Sequence, residues 1–391
     1  MTKRIAIINQ RYGLEVNGGS EVHARMLAER LSVHYNVEVL TTCALEYTTW
    51  ENHYNEGIHN INGVCVRRFS VDKPRDTLRF NEISMKVLTK ELNDTKTEQE
   101  WVDEQGPYCP KLIDYISENE NEYDVFIFVT YLYYLTVRGI GIVSKKALLV
   151  PTAHDEPPIY LNVYKEVFLC PQAIAFNTEE EQSFIYKLFD NRGIPNEIIG
   201  VGIDVPSSVK PDKFRVQHGV DNYILYVGRI DENKGCAELF SFFSEYKEKN
   251  PSDLKLVLMG NEIMSMPHNP EIISLGFVSE EVKFDGMSGA KLLIMPSAYE
   301  SLSIVVLESM ALEVPVVVNG KCEVLRVHCK KSNAGLFYLS YDEFEGCMNY
   351  IYKHDDEYTI MKKNARIYVE QNYRWDLIIT KLMHMIDVIS A

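Results

Sequence analysis

An arginine and a lysine follow a predicted buried strand in the second half of this 391-residue chain. The strand Tyr223–Val227 leads into Gly228 and Arg229, and Lys234 and Gly235 come five residues later. The carboxyl edge of a parallel sheet is where doubly wound domains bind ligands. Two cations at that edge suit a diphosphate, whereas the alternative is a pair of solvated surface charges. The flanking glycines favour the binding interpretation.

Two carboxylates, Glu300 and Glu308, lie in the block 296–308, which follows another predicted strand. A helix is predicted to begin near residues 301–303, so Glu300 lies just outside it and Glu308 lies among apolar residues. A carboxylate in such surroundings needs a hydrogen-bonding partner or a ligand hydroxyl. Helix capping by Glu300 and a solvent-facing Glu308 are the alternatives. Together with the backbone amides of residues 301–304, the carboxylates predict a site for a hydroxyl-rich ligand.

The first half offers two further positions at predicted strand ends. Gly18 and Gly19 separate the strand 4–9 from an amphipathic helix. Glycines there let backbone amides approach a phosphate, although a plain chain reversal is an equal alternative. The pattern is not GxGxxG and no acidic residue ends the second strand, so a nicotinamide or flavin site lacks its signatures. His154 follows the strand 147–150, where a structural loop histidine is the alternative.

Short apolar runs that alternate with helical periods must position these residues. The first predicted strand set covers residues 4–9, 37–42, 124–129, 147–150, 173–176 and 198–201. The second covers residues 223–227, 254–259, 272–275, 292–295, 315–318 and 335–338. Continuous apolar runs indicate strands covered on both faces. Strand–helix alternation therefore predicts α/β architecture with parallel sheets and right-handed crossovers.

The two strand sets predict two doubly wound domains, residues 1–205 and residues 206–374, joined through the polar stretch 204–220. The final helix, 375–391, is expected to pack back on the first domain, with a plain C-terminal cap as the alternative. Residues 93–110 are polar and acidic, and we interpret them as a turn-rich excursion from the first domain.

Composition excludes several classes of protein. The chain has 40 Lys and Arg against 56 Asp and Glu, a net charge of −16, and neither half is basic. Nucleic acid is therefore not an expected partner. No apolar run approaches the roughly 18 residues of a membrane span, and the eight cysteines include no CxxC pair. These features predict a reduced, cytoplasmic protein, with peripheral contact to the inner face of the membrane left open.

In this order, the elements resemble the retaining glycosyltransferases of family 4. That family has the GT-B fold, in which two Rossmann-like, doubly wound parallel-sheet domains face each other across a cleft. The resemblance runs along nearly the whole chain, and any one motif is weak whereas the ordered set is strong. It is carried by Gly18-Gly19, His154, residues 201–204, Gly228-Arg229, Lys234-Gly235, residues 276–278 and the block from Pro296 to Val316.

The resemblance implies a bacterial enzyme that transfers a sugar from a nucleoside-diphosphate sugar to a glycan or lipid-linked acceptor. Surface polysaccharide or glycolipid synthesis is the implied setting, and no metal or other cofactor is implied. The implied catalytic residues are Arg229, Lys234, Glu300 and His154. The implied donor-binding residues are Gly18, Gly19, Gly228, Phe277, Val278, Ser301, Leu302, Ser303, Ile304 and Glu308.

The resemblance also implies how these roles divide. Arg229 and Lys234 would neutralise the donor diphosphate, and Glu308 would hold the ribose hydroxyls. Glu300 would hold the hydroxyls of the sugar, which His154 would also touch. Phe277 and Val278 would border the nucleobase. The family commonly has glycines after the first Glu, where this chain has Ser301 and Ser303, and this departure leaves the donor's identity open.

The acceptor is expected to bind in the first domain. Its candidate residues are Trp101, Tyr108, Arg79 and Tyr131. Aromatic rings suit sugar faces, although packing in the core or in loops explains each ring at least as well. Two alternatives to a transferase stay open: a sugar-nucleotide epimerase or phosphorylase on a related fold, and a non-catalytic sugar-nucleotide-binding protein.

Overall fold

The computed structural model describes residues 2–16, 18–89 and 94–390. The chain divides into two compact units. Unit 1 comprises Met1–Gly200 and Asp376–Ala391, and unit 2 comprises Val201–Trp375. The sequence pattern predicts this division slightly later, at residue 205.

Unit 1 is built on an eight-stranded sheet. Its strands are β1 (Arg4–Ile8), β2 (Asn36–Thr42), β3 (Gly57–Ile61), β4 (Val64–Phe69), β5 (Val125–Val129), β6 (Ala147–Val150), β7 (Ala173–Phe176) and β8 (Asn196–Ile198). The spatial order is β3-β4-β2-β1-β5-β6-β7-β8, and only the β3–β4 pair is antiparallel. All five residues of β5 are buried, because helices cover both faces of a parallel sheet.

Helices connect these strands. They are α1 (Gly19–Leu31), α2 (Thr77–Leu88), α3 (Thr95–Gln105), α4 (Pro110–Glu118), α5 (Tyr134–Gly139), α6 (Tyr164–Leu169) and α7 (Glu179–Phe189). Their apolar faces join the strands in one core that includes Phe126, Phe128, Trp101 and Tyr164. This core fixes the loops that leave the carboxyl ends of the strands.

Three details of unit 1 differ from the sequence-based expectation. The hairpin of β3 and β4 was not predicted, although Asn62 and Gly63, both with positive φ, form the two-residue turn that favours such hairpins. Strand β8 ends at residue 198, where the prediction began. Within 93–110, residue 93 lies outside the described residues, and the rest is mainly helical rather than turn-rich because α3 buries Trp101 in the core.

Unit 2 contains a fully parallel six-stranded sheet, and all six predicted strands are confirmed. They are β9 (Tyr223–Val227), β10 (Lys255–Met259), β11 (Ile272–Ser274), β12 (Leu293–Met295), β13 (Val316–Asn319) and β14 (Gly335–Tyr338). The spatial order is β11-β10-β9-β12-β13-β14. This is the doubly wound order of a Rossmann domain, and the winding direction reverses between β9 and β12.

The helices of unit 2 are α8 (Pro211–His218), α9 (Cys236–Lys249), α10 (Glu280–Gly289), α11 (Ile304–Ala311), α12 (Glu323–Ser332), α13 (Tyr341–Lys353) and α14 (Asp355–Asn372). The last helix, α15 (Trp375–Ile389), begins at the end of unit 2 and otherwise belongs to unit 1. There, Lys381 Nζ donates to Ile198 O at 2.7 Å, and Lys3 Nζ lies 2.5 Å from Asp387 Oδ1.

Candidate functional site

The candidate diphosphate-binding residues lie at the switch point of the unit 2 sheet. Strands β9 and β12 are neighbours, with Leu225 opposite Leu293, and their carboxyl ends open side by side. Open α/β sheets bind ligands in the crevice beyond such a point. The chain after β9 supplies Arg229 and Lys234, and the chain after β12 supplies Glu300.

The two loops meet through an ion pair. Lys234 Nζ lies 2.8 Å from Glu300 Oε1, and the two side chains are 32% and 15% exposed. Gly235 allows this approach, because its φ is +78° and a Cβ there would lie 2.4 Å from Pro296 O. The ammonium group is thus held at the crevice and still has surface available for a ligand.

Arg229 is held by its own loop. Its Nε donates to Asp231, a buried carboxylate whose other oxygen accepts the backbone N–H of Lys234 at 2.8 Å. The hydroxyl of Tyr226 donates to the backbone carbonyl of Arg229 at 2.7 Å. These hydrogen bonds hold both predicted cations, Arg229 and Lys234, on one short segment after β9. The structure therefore brings Arg229, Lys234 and Glu300 together.

Glu308 has an unused acceptor atom. It lies on α11, is 4% exposed, and its Oε1 lies 3.0 Å from Lys283 Nζ on α10. Burial raises the pKa of Glu308, although the nearby Lys283 ammonium opposes the rise. Its buried Oε2 finds no hydrogen-bond partner among the described residues. An enclosed acceptor without a donor is costly, and a ligand hydroxyl would satisfy it.

Residues 301–303 connect Glu300, which lies at the crevice, to α11. The helix begins at Ile304, later than predicted, and Ser303 precedes it with φ +65°. A non-glycine residue in the left-handed region is strained, and such strain clusters at functional sites. Leu302 is buried.

Beyond β11, Phe277 is 60% exposed, so its ring is available to a planar ligand group.

His328, which no sequence motif singled out, holds this segment. The imidazole is buried on α12, and its Nε2 lies 2.9 Å from Leu302 O. Because a carbonyl only accepts, Nε2 carries the hydrogen, and Nδ1 faces the Tyr368 hydroxyl at 2.9 Å. Burial lowers the pKa of His328 to about 4, so the ring is neutral at pH 7. No local spacing signals a contact 26 residues apart.

We expect His328→Phe to raise the donor KM about tenfold with a smaller effect on kcat, because losing one buried hydrogen bond releases the Leu302 carbonyl. His328→Gln retains an N–H donor and is expected to restore most of the affinity. Steady-state kinetics and melting temperatures of both variants check this expectation. A Phe variant with the wild-type KM contradicts it.

In unit 1, close packing explains why residue 18 is a glycine. A Cβ at Gly18 would lie 2.1 Å from Glu21 Oε2, and Glu21 forms a buried ion pair with Arg11 at 2.5 Å. Gly19, the first residue of α1, has open space at its Cβ position. A phosphate-binding role for either glycine stays a prediction.

His154 lies on the loop after β6, as predicted. Its Nε2 is 3.4 Å from Glu156 Oε2, and Glu156 also accepts the Tyr131 hydroxyl at 2.7 Å. The preceding amide, Ala153 N, donates to Glu181 Oε1 at 2.5 Å. Burial raises the pKa of Glu181 to about 8. The loop is therefore anchored, and contact between His154 and a sugar stays a prediction.

The acceptor prediction is wrong for two residues. Trp101 and Tyr131 are each 1% exposed and belong to the core of unit 1, so neither ring presents a face to a sugar. The Trp101 indole N–H is used internally, by Ser84 Oγ at 2.9 Å. Tyr108 is half-buried against that core, and Arg79 is exposed and paired with carboxylates. An acceptor role for these last two stays a prediction.

Two features of the described residues bear on cofactors and membranes. No three His, Cys, Asp or Glu side chains within ranges 2–16, 18–89 and 94–390 are grouped so that they could hold a metal ion. Across the same ranges, none of the helices is both long and apolar enough to cross a bilayer.

Part of the chain matches a known family of proteins. Residues 210–368, most of unit 2, match the family Glycosyl transferases group 1. Over 207 residues the chain is 23% identical to the capsular polysaccharide biosynthesis glycosyltransferase CapM of Staphylococcus aureus, covering 47% of this chain and 53% of CapM. The chain thus spans about half the length of that relative.

Solved structures define the fold. Sucrose-phosphate synthase from Thermosynechococcus elongatus shares 16% identity with this chain at a TM-score of 0.72, covering 98% of each chain. Anabaena HepE, solved in complex with UDP and glucose, shares 14% identity at a TM-score of 0.72, covering 99% of this chain and 100% of HepE. The predicted GT-B fold class, with two parallel-sheet α/β domains, is confirmed.

Proposed function

We propose that this protein is a retaining, metal-independent glycosyltransferase. It moves a sugar from a nucleoside-diphosphate sugar to a glycan or lipid-linked acceptor in surface polysaccharide or glycolipid synthesis, on the cytoplasmic side of the membrane. The observation that carries the proposal is the grouping of Arg229, Lys234 and Glu300 at the switch point of unit 2. The family match over that unit and the UDP complex of HepE support a nucleotide-sugar donor.

The site suits the departure of a diphosphate. During transfer, the bond between the anomeric carbon and the diphosphate oxygen breaks, and negative charge develops on that oxygen. The Arg229 guanidinium, the Lys234 ammonium and the amides at the start of α11 stabilise that charge, because they are held in place before the reaction begins. Glu308 Oε2 accepts a hydrogen bond from a ribose hydroxyl.

Retention follows from attack on the face that the diphosphate leaves. Glu300 is paired with Lys234 and Glu308 with Lys283, and we assign both carboxylates to binding rather than to the nucleophile-and-acid pair of a glycoside hydrolase. The acceptor oxygen forms the new bond to the anomeric carbon, and its proton passes to the departing phosphate oxygen. Donor and product then have the same anomeric configuration.

Release of nucleoside diphosphate from a panel of nucleotide sugars tests the proposal, with and without glycan acceptors. We expect acceptor-dependent release and, by NMR, a product with the donor's anomeric configuration. Interconversion of the donor sugar without release identifies an epimerase, and a requirement for inorganic phosphate identifies a phosphorylase. Binding of a donor without turnover of any kind identifies a non-catalytic protein, and each of these results contradicts the proposal.

A further inference from the structure

Arg75 is a half-buried cation in the loop between β4 and α2 of unit 1. This loop leaves the carboxyl end of β4, the edge at which parallel sheets bind ligands. The guanidinium carbon lies 4.5 Å from the centre of the Phe80 ring and 5.2 Å from that of Trp50. Nη2 donates to the backbone carbonyl of Gln105. The side chain is thus enclosed by aromatic rings on an edge suited to binding.

Two other cations of unit 1 are paired with carboxylates, whereas Arg75 is not within the described part of the chain. Lys73 Nζ lies 2.8 Å from Glu104 Oε1, and Arg138 Nη2 lies 2.7 Å from Asp103 Oδ1. Among the residues that the structure describes, no carboxylate pairs with Arg75, and its enclosed Nε has no hydrogen-bond partner. Burial lowers the pKa of Arg75 to about 10, so the group stays charged at neutral pH. Drawing a cation partly out of water without a carboxylate partner is costly, and this one occurs in a chain of net charge −16.

The surroundings hold the guanidinium in one place. Trp50 has φ +57°, a strained conformation for a bulky residue, and its indole N–H donates to Gln105 O at 2.8 Å, the carbonyl that also accepts from Arg75. A Cβ at Gly106 would lie 2.9 Å from Trp50 Cδ1, so this packing requires glycine. Tyr133 packs edge-on against Trp50 at 5.5 Å. The loop is therefore built around a fixed cation that has no carboxylate partner among the residues that the structure describes.

We propose that Arg75 binds an anionic oxygen group, a phosphate ester or a carboxylate, on the acceptor sugar. The inference rests on the proposed function and narrows its acceptor to a negatively charged one. Guanidinium donors match both kinds of oxygen group and form charge-assisted hydrogen bonds to them.

Titration calorimetry tests this proposal on the full chain. The protein carries the background substitutions Arg229→Ala and Lys234→Ala, which remove the two cations of unit 2 that are proposed to bind the diphosphate. Binding at unit 1 is then measured alone. The probes are glucose 1-phosphate, glucuronate and uncharged glucose, which separate a phosphate ester from a carboxylate and both from the sugar alone. We expect at least one acid to bind more tightly than glucose. Adding Arg75→Gln to this background should weaken the binding of that acid about tenfold or more.

Arg138→Gln is the matched control, because Arg138 also lies beside an aromatic ring but has a carboxylate partner. It should leave the affinity for the acid unchanged. Arg75→Lys keeps the positive charge but lacks the planar set of guanidinium donors, and it replaces the Gln variant in the test if that variant does not fold. It should also weaken binding of the acid. Equal affinity in the Arg75 variants, or no preference for either acid over glucose, overturns the proposal. Donor binding, measured separately with Arg229 and Lys234 intact, tests the transferase function independently.

Discussion

Replacing both Arg229 and Lys234 by alanine is expected to lower kcat by about 10³-fold or more with the fold intact. A single preorganised donor to a developing anion is worth about 10² to 10³ in kcat, and losing two neighbouring donors costs at least as much as losing one. Removing Lys234 also leaves the Glu300 carboxylate, 2.8 Å away, without its partner beside the departing diphosphate. Release of nucleoside diphosphate and circular dichroism of the variant measure the two expectations.

A matched control removes two other cations from unit 2. Lys249 and Arg366 are exposed and each is paired with a carboxylate, Lys249 with Glu245 at 2.8 Å and Arg366 with Glu370 at 2.7 Å. Such surface pairs contribute little, so Lys249→Ala/Arg366→Ala should keep both the wild-type rate and the fold. Undiminished turnover in Arg229→Ala/Lys234→Ala would refute the role assigned to those two residues.

Glu308→Gln is expected to weaken donor binding about 10- to 100-fold, because a carboxylate hydrogen bond to a ribose hydroxyl is worth about 1.5–3 kcal/mol. The same change leaves the Lys283 ammonium paired only with the exposed Glu280, at 2.8 Å, and breaking a buried pair costs up to about 3–5 kcal/mol of stability. Donor affinity by titration and unfolding in urea measure the two effects separately.

The double variant Lys283→Met/Glu308→Gln separates those effects. Because it removes the ammonium as well, it should recover most of the stability lost in the single variant. Donor binding should stay weak, since Oε2 no longer carries negative charge. If the double variant binds donor as tightly as the wild type, Glu308 has only a structural role.

Local sequence patterns were sufficient to predict the strands of the unit 2 sheet and the positions of its candidate site residues. Its strands are continuous apolar runs, and residues that follow such strands necessarily lie at the carboxyl edge. The β3–β4 hairpin was missed because β4 alternates buried and half-buried residues and carries Arg67 and Arg68. The Asn62-Gly63 turn was the available signal.

Contacts made by the tertiary fold could not be predicted in the same way. Aromatic residues occur both in cores and on binding surfaces. The composition around Trp101 and Tyr131 therefore did not reveal that these two side chains are buried. The contact of His328 with Leu302 and the loop around Arg75 join segments that are distant in the sequence. Such partners become visible only when the loops are in place.

Ligand-induced stabilisation tests the central claim most directly. The melting temperatures of the wild type and of Arg229→Ala/Lys234→Ala are measured with UDP, GDP, ADP and dTDP. A ligand at about 100 times its Kd stabilises the native state by about 2.7 kcal/mol, enough to raise the melting temperature by a few degrees. We predict such a rise for at least one nucleotide with the wild type and little or none with the variant. The absence of a shift with every nucleotide, or an equal shift in both proteins, contradicts the claim that these two cations hold a diphosphate.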